Sequence, residues 1–240
     1  MLAALTLGAL ALHAGPAMLR PTATATPART SPLLLSVASD LLRECSKDER
    51  SLERISTLVN ELSAAASVSK AKQAVLGDWR LVFAGDADAL APFTSGEVKP
   101  PFGVVEDVFC RFEKGNSMKA IEVERRIGPF GNARRSLVGR YSVDTGKNRA
   151  DRLRFKYLWM DDYNGRERDP PVSAAVEAEV VASQAEGSVL VLRLGQPQEK
   201  GTTPADMTAG SILVWSKLRA KELDRLLDEL GVKKEDEVGV

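Results

Sequence analysis

Histidine is all but absent from this 240-residue chain; the one present is His13. It falls in an N-terminal stretch that reads as a removable leader, so the remainder carries no imidazole. That excludes a Ser–His or Cys–His nucleophile pair, a histidine base and histidine-bearing zinc sites. The two cysteines, Cys45 and Cys110, are too few and too widely separated for a disulfide framework and read as thiols. Net charge is zero, and neither an RNP-type aromatic motif nor zinc-finger spacing occurs, so nucleic acid is not an expected partner. Phosphate-cradling glycine loops, nucleophile elbows and kinase signatures are also missing. Asp161 and Asp162, with Asp169 nearby, do not follow EF-hand spacing and are interrupted by Arg166 and Arg168. No metal, cofactor or catalytic residue is expected.

Acidic residues are missing from residues 1–39. Residues 1–12 form an apolar core of signal-peptide length, too short to span a bilayer. Gly15 and Ala17 suit the positions before a cleavage site, and residues 18–31 are basic, hydroxyl-rich and acid-free, which is transit-peptide composition. Residues 1–32 therefore read as a plastid-targeting leader, a signal joined to a transit peptide, with ordinary secretion as the alternative. No later segment is long and apolar enough to cross a membrane as a helix.

What is present is organised around residues 76–85, Leu-Gly-Asp-Trp-Arg-Leu-Val-Phe-Ala-Gly. Trp79, Leu81 and Phe83 alternate with Asp78, Arg80 and Val82, the period of a half-buried first strand. Seven more strand candidates follow at 104–112, 118–126, 134–143, 152–159, 174–181, 188–194 and 211–217, most separated by glycine-containing turns. Eight strands with no helix between them predict an up-and-down antiparallel β-barrel over 76–217, which closes its edges on itself. Ahead of it, residues 33–66 carry apolar positions three and four apart (Val37, Leu41, Leu42, then Leu52, Ile55, Leu58, Val59, Leu62), the stripe of two amphipathic helices. These helices either pack on the barrel or form a partner-binding arm. Residues 219–231 repeat the helical pattern through Leu223, Leu226, Leu227 and Leu230, and 233–240 form an acidic tail.

In the fifth strand Leu153, Phe155, Tyr157 and Trp159 alternate with Arg152, Arg154, Lys156 and Leu158. Closure of the barrel would turn Phe155, Tyr157 and Trp159 inward beside Trp79, Leu81 and Phe83. An eight-strand barrel is at the size where side chains fill the lumen or leave room for one small ligand, so these six either pack or line a site. The outer surface is charged unevenly: residues 111–168 hold fifteen Lys/Arg against eight Asp/Glu, a balance of +7. Arg125, Arg126, Arg134 and Arg135 surround Phe130 at one hairpin tip. That tip is either a docking point for an anionic membrane surface, at about 1 kcal/mol per basic residue, or a charged, solvated hairpin.

Two short helices, the Val75-to-Trp79 entry with its Gly-x-Trp, and the closing Ile212-Leu213-Val214-Trp215 together resemble the plastid lipid-associated protein (fibrillin) family over roughly residues 33–217. The resemblance implies a lipocalin-like barrel in the plastid, at thylakoids or plastoglobules, that carries small apolar lipids of the prenylquinone or carotenoid class without catalysis. It also implies that a basic residue, Lys217 or Arg219, covers the Trp79 indole. The family's arginine-bearing segment before the closing strand is replaced here by residues 198–208, so no lumen arginine is carried over from it. The alternative implied function is a structural or assembly protein docked on a thylakoid complex.

Overall fold

The computed structural model describes residues 32–65, 71–95, 103–126, 131–145, 151–183, 189–194 and 211–232. The leader, the C-terminal tail, residues 198–208 and the hairpin tip that holds Phe130 lie outside them. The described chain begins with α1 (Pro32–Cys45), α2 (Leu52–Ala65) and the short α3 (Ala71–Ala74), then enters β1 (Gly77–Ala84). A one-turn α4 (Ala87–Leu90) and a 3-10 turn (Ala91–Phe93) precede β2 (Gly103–Phe112), β3 (Ser117–Arg126), β4 (Ala133–Asp144) and β5 (Arg152–Asp161). Next come the two-residue β6 (Glu167–Arg168), then β7 (Val176–Ser183), β8 (Val189–Leu194), β9 (Ser211–Lys217) and α5 (Glu222–Glu229).

Every neighbouring pair is antiparallel, and the ladder runs β4-β3-β2-β1-β9-β8-β7-β5 before β5 returns to β4. This is a closed, eight-strand, up-and-down barrel of lipocalin-like architecture, as the strand pattern predicts; β6 is a short addition to β5. Closure leaves no free edge in the ring, the physical advantage of a barrel over an open sheet.

Both walls of the barrel are apolar in places, and helices cover the outer ones. Helices α1 and α2 pack Val37, Leu41, Ile55, Leu58 and Leu62 onto the outward Val181, Val189, Val191 and Val214. Helix α5 packs Leu223 and Leu227 onto Phe109, Ile121 and Val123. The N-terminal helices are thus part of their own domain. Cys45 and Cys110 are both buried free thiols.

Four register shifts interrupt the strict alternation, in β1 at Leu81/Phe83, in β2 at Val105/Asp107, opposite Val138/Gly139 in β5, and in β7 at Val180/Ala182. Each inserts one extra residue and resets which face the following side chains occupy. The β5 bulge presses its backbone onto Gly139: a Cβ there would meet the Lys156 carbonyl oxygen and lie 2.9 Å from the Tyr157 Cα. Gly139→Ala should therefore lower stability by about 1–3 kcal/mol through overpacking, read as a reduced urea midpoint at unchanged m-value.

Candidate functional site

The interior is built from one end to the other by residues the strands turn inward. At the first end Gly77 has φ +118°, and a Cβ on it would sit 3.2 Å from the Lys217 Cε. Only glycine suits both the conformation and the close approach. Lys217 then lies over Trp79, its Nζ 5.2 Å from the indole, in a cation–π contact. The Trp79 Nε1–H donates to the Val75 carbonyl at 2.8 Å. Of the two candidates for covering the indole, Lys217 is the one that does so, and burial holds its ammonium below the ordinary lysine range.

Mid-barrel, a run of rings crosses the lumen. Phe93 stands 5.0 Å from Trp215 and 5.1 Å from Phe155, and Phe155 stands 5.6 Å from Tyr157. Phe93 comes from no strand. It is carried in by α4 and the 3-10 turn, where Asp86 caps α4 by accepting from the Ala89 N–H at 2.7 Å. Residues 86–95 thus fold back from the end of β1 and plug the barrel. Ala89, Leu90 and Phe93 all join the interior core. Two polar atoms in this core have no hydrogen-bond partner, the Tyr157 hydroxyl and the Trp215 Nε1. Burial pushes the Tyr157 phenol well above its usual range, so it remains a protonated donor at neutral pH.

The second end is polar. Met118, Ala120, Glu122 and Glu124 alternate along β3 with Ile121 and Val123, which lie under α5, so both carboxylates face inward and are buried. Arg135 joins them from β4, only 5% exposed. Its guanidinium donates to the Ser95 Oγ at 2.7 Å and lies 3.4 Å from the Glu124 carboxylate. The Ser95 N–H donates to Glu122 at 2.7 Å. The cluster therefore ties down the end of the plug segment two residues beyond Phe93.

Of the six residues expected to line the lumen, Trp79, Phe155 and Tyr157 are in the interior core and Leu81 packs against it. Phe83 and Trp159 are not there. The β1 bulge pairs Leu81 with the inward Trp215 but Phe83 with the outward Val214, so Phe83 packs beneath α1 and α2. The β5 bulge sets Trp159 opposite Val138 on the outer wall, and Met160 takes the inward place. Arg135 leaves the expected docking set as well, because alternation along β4 places it inside with Leu137 and Tyr141. Arg125 is exposed, 3.9 Å from Glu106, and Arg126 stacks 4.5 Å over Tyr163. Arg134 is partly buried on the outer side, opposite Val123. Phe130 lies outside the described residues.

Sequence reasoning missed Phe93, Glu122, Glu124 and Trp215. The Asp86-x-x-Ala89 cap and the Pro92 that follows were the available signal for the plug. Glu122 and Glu124 gave none, because an apolar outer wall under a helix inverts the usual reading of β3.

Among the described residues no group of three or more His, Cys, Asp and Glu side chains could hold a metal ion. Asp162 serves its own turn instead, accepting from the Asn164 and Arg166 N–H groups at 2.8 and 3.0 Å and from Arg168 Nε at 2.9 Å. No family model, curated protein or solved structure matches this chain.

Two outcomes follow from the buried charges. Arg135→Met should cost about 3–5 kcal/mol in urea unfolding, because it strands the buried Glu124 carboxylate, and Glu124→Gln in the same chain should recover part of the loss. Burial raises the Asp162 carboxyl, but the Arg166, Asn164 and Arg168 donors outweigh this and hold it below its usual range. Its stabilising contribution is thus full above the unfolded carboxyl value of about 4 and lost as pH falls through the folded value. Asp162→Asn should flatten that acid limb in a pH series of thermal melts.

Proposed function

We propose that the barrel is a non-catalytic binding protein for a small apolar ring compound, of the prenylquinone class in preference to a carotenoid hydrocarbon. It takes up the ring in the lumen where Phe93 now stands. The observation that carries this is the pair of unpartnered donors, the Tyr157 hydroxyl and the Trp215 indole N–H, at either end of the Phe93–Phe155 ring contact. A buried donor left unsatisfied costs about 1–3 kcal/mol. A quinone carbonyl recovers part of that cost where a hydrocarbon recovers none. Apolar walls with a few convergent polar groups are the general composition of a small-molecule site.

A way in exists on one side. β1 pairs with β2 only from Gly77 to Arg80, while β2 continues along β3 to Gly103. Where the strands part there is a depression of about 180 Å³ lined by Leu81, Leu90, Val105 and Val108, all of which also touch the interior core. A prenyl tail leaving through this gap would bury methylenes at about 0.8 kcal/mol each. Arg80 closes the inner limit of the gap with a two-point ion pair to Asp107 at 2.7 and 3.0 Å. The leader composition supports a plastid setting, with thylakoid or plastoglobule membranes as the source of the ligand.

A second function, a structural or assembly protein docked on a thylakoid complex, is favoured by one observation: the protein's own Phe93 already occupies the lumen. The two are separated by titrating decylubiquinone into the purified protein while following tryptophan emission. Carriage expects saturable quenching that tightens about tenfold in Phe93→Ala, where the internal competitor is gone, and weakens about 30-fold when Tyr157→Phe and Trp215→Phe are combined, at about 1 kcal/mol per lost hydrogen bond. Absence of quenching in both the parent and Phe93→Ala, with the native protein free of extractable prenyl lipid, would leave the barrel a packed scaffold.

A further inference from the structure

We propose that the outer wall of β4 and β5 docks this protein on an anionic lipid surface, with Leu158 and Trp159 entering the interfacial layer and Arg140 and Lys156 meeting the headgroups. The inference does not depend on a ligand in the lumen.

The wall is distinguished first by what leaves it bare. Helices α1 and α2 cover the outward side chains of β1, β7, β8 and β9, and α5 covers those of β2 and β3. Neither the α1–α2 layer nor α5 packs on the outer side of β4 and β5. The β5 bulge then puts a further apolar group on that side. Alternation already leaves Leu158 outside, 48% exposed, and the bulge sets Trp159 on the same side beside Val138. Trp79 and Trp215 are 0% and 1% exposed, which makes Trp159 the one tryptophan of this chain in reach of solvent. A bulge that moves an indole out of a core has a packing cost, and an outer partner offsets it.

The charge beside Leu158 is cationic, and Asp161 follows Trp159 on the same face at the other end of the patch. Arg140 and Lys156 are register partners, both exposed, and among the described residues no carboxylate pairs with either. Farther along, Arg154 is tied to Glu177 and is not available in the same way. A leucine and an indole directly beyond a pair of uncompensated cations match the membrane interface, where tryptophan sits at headgroup depth and basic side chains are drawn to an anionic leaflet. A protein partner matches less well. Specific protein interfaces engage about 20–30 residues a side, whereas this wall offers three outward apolar side chains, Val138, Leu158 and Trp159.

The test is co-sedimentation of the full chain with vesicles of phosphatidylcholine alone and of phosphatidylcholine with phosphatidylglycerol, with tryptophan emission as a second readout. Binding to the anionic vesicles, a blue-shifted emission and quenching by brominated acyl chains are expected, since only Trp159 can approach the lipid. Arg140→Gln with Lys156→Gln should weaken that binding roughly 30-fold, and Leu158→Ser with Trp159→Ser should abolish the quenching. All four positions are at least partly exposed, and unchanged melting curves establish that the variants fold. Failure to bind anionic vesicles overturns the proposal. So does binding in which Trp159 stays unquenched or the variants keep full affinity, since another face, such as the Arg125–Arg126 hairpin, would then be the docking surface. Saturable binding of the wall to a purified thylakoid complex without any vesicle binding also overturns it, in favour of a protein partner.

Discussion

A strand shows its side chains to alternate faces until an extra residue is inserted, and in this barrel four such insertions decide which hydrophobic residues fill the lumen and which seat the helices. The β1 bulge turns Phe83 out to the helices while Trp79 and Leu81 stay inside. The β5 bulge keeps Tyr157 inside, substitutes Met160 for Trp159, and requires the missing side chain of Gly139. The β7 bulge sets Ala182 opposite the outward Val191, on the same side as Val181, while Val180 stays inside. One closed sheet therefore supports two apolar surfaces, and the N-terminal helices have a fixed place on the outer one.

The same closure creates a lumen that must be occupied. The chain fills it from one end with the Lys217-covered Trp79 and from the other with a segment that belongs to no strand. Phe93 supplies the ring, and the Glu122, Arg135 and Ser95 contacts hold the segment that carries it. A buried arginine with two buried carboxylates is a weak source of net stability but a strong determinant of position, since each partner is costly to leave alone. That division of labour places the adaptable ring contact in mid-barrel and the rigid polar contacts at the mouth.

The two surfaces of the protein carry different chemistry as a result. Ion pairs on the outside of β1 and β2, Arg111 with Asp78 and Arg80 with Asp107, are two-point contacts between neighbouring strands and brace the wall next to the β1–β2 gap. The excess of positive charge in residues 111–168 resolves into separate duties. Arg135 is internal, Arg111 is a strand brace, Arg126 stacks on Tyr163, and Arg140 with Lys156 remains on an uncovered wall.

The barrel, its strand order and its flanking helices were legible in the order of the residues, because period-two and period-3.6 patterns are local and each strand here pairs with its neighbour in sequence. The Gly77–Trp79 entry was legible too, and the resemblance left Lys217 or Arg219 as the cation over the indole, between which only the fold decided. The faces of Phe83 and Trp159 were not, because a bulge is fixed by pairing with a strand more than a hundred residues away in one case and by Gly139 on the facing strand in the other. Nor were Phe93, Glu122 and Arg135: whether a loop enters a lumen, and whether a charge turns inward, depends on which space the closed wall leaves and which partners it brings within a hydrogen bond. Local pattern determined the wall of this protein, and only tertiary closure decided what stands inside it and what faces out.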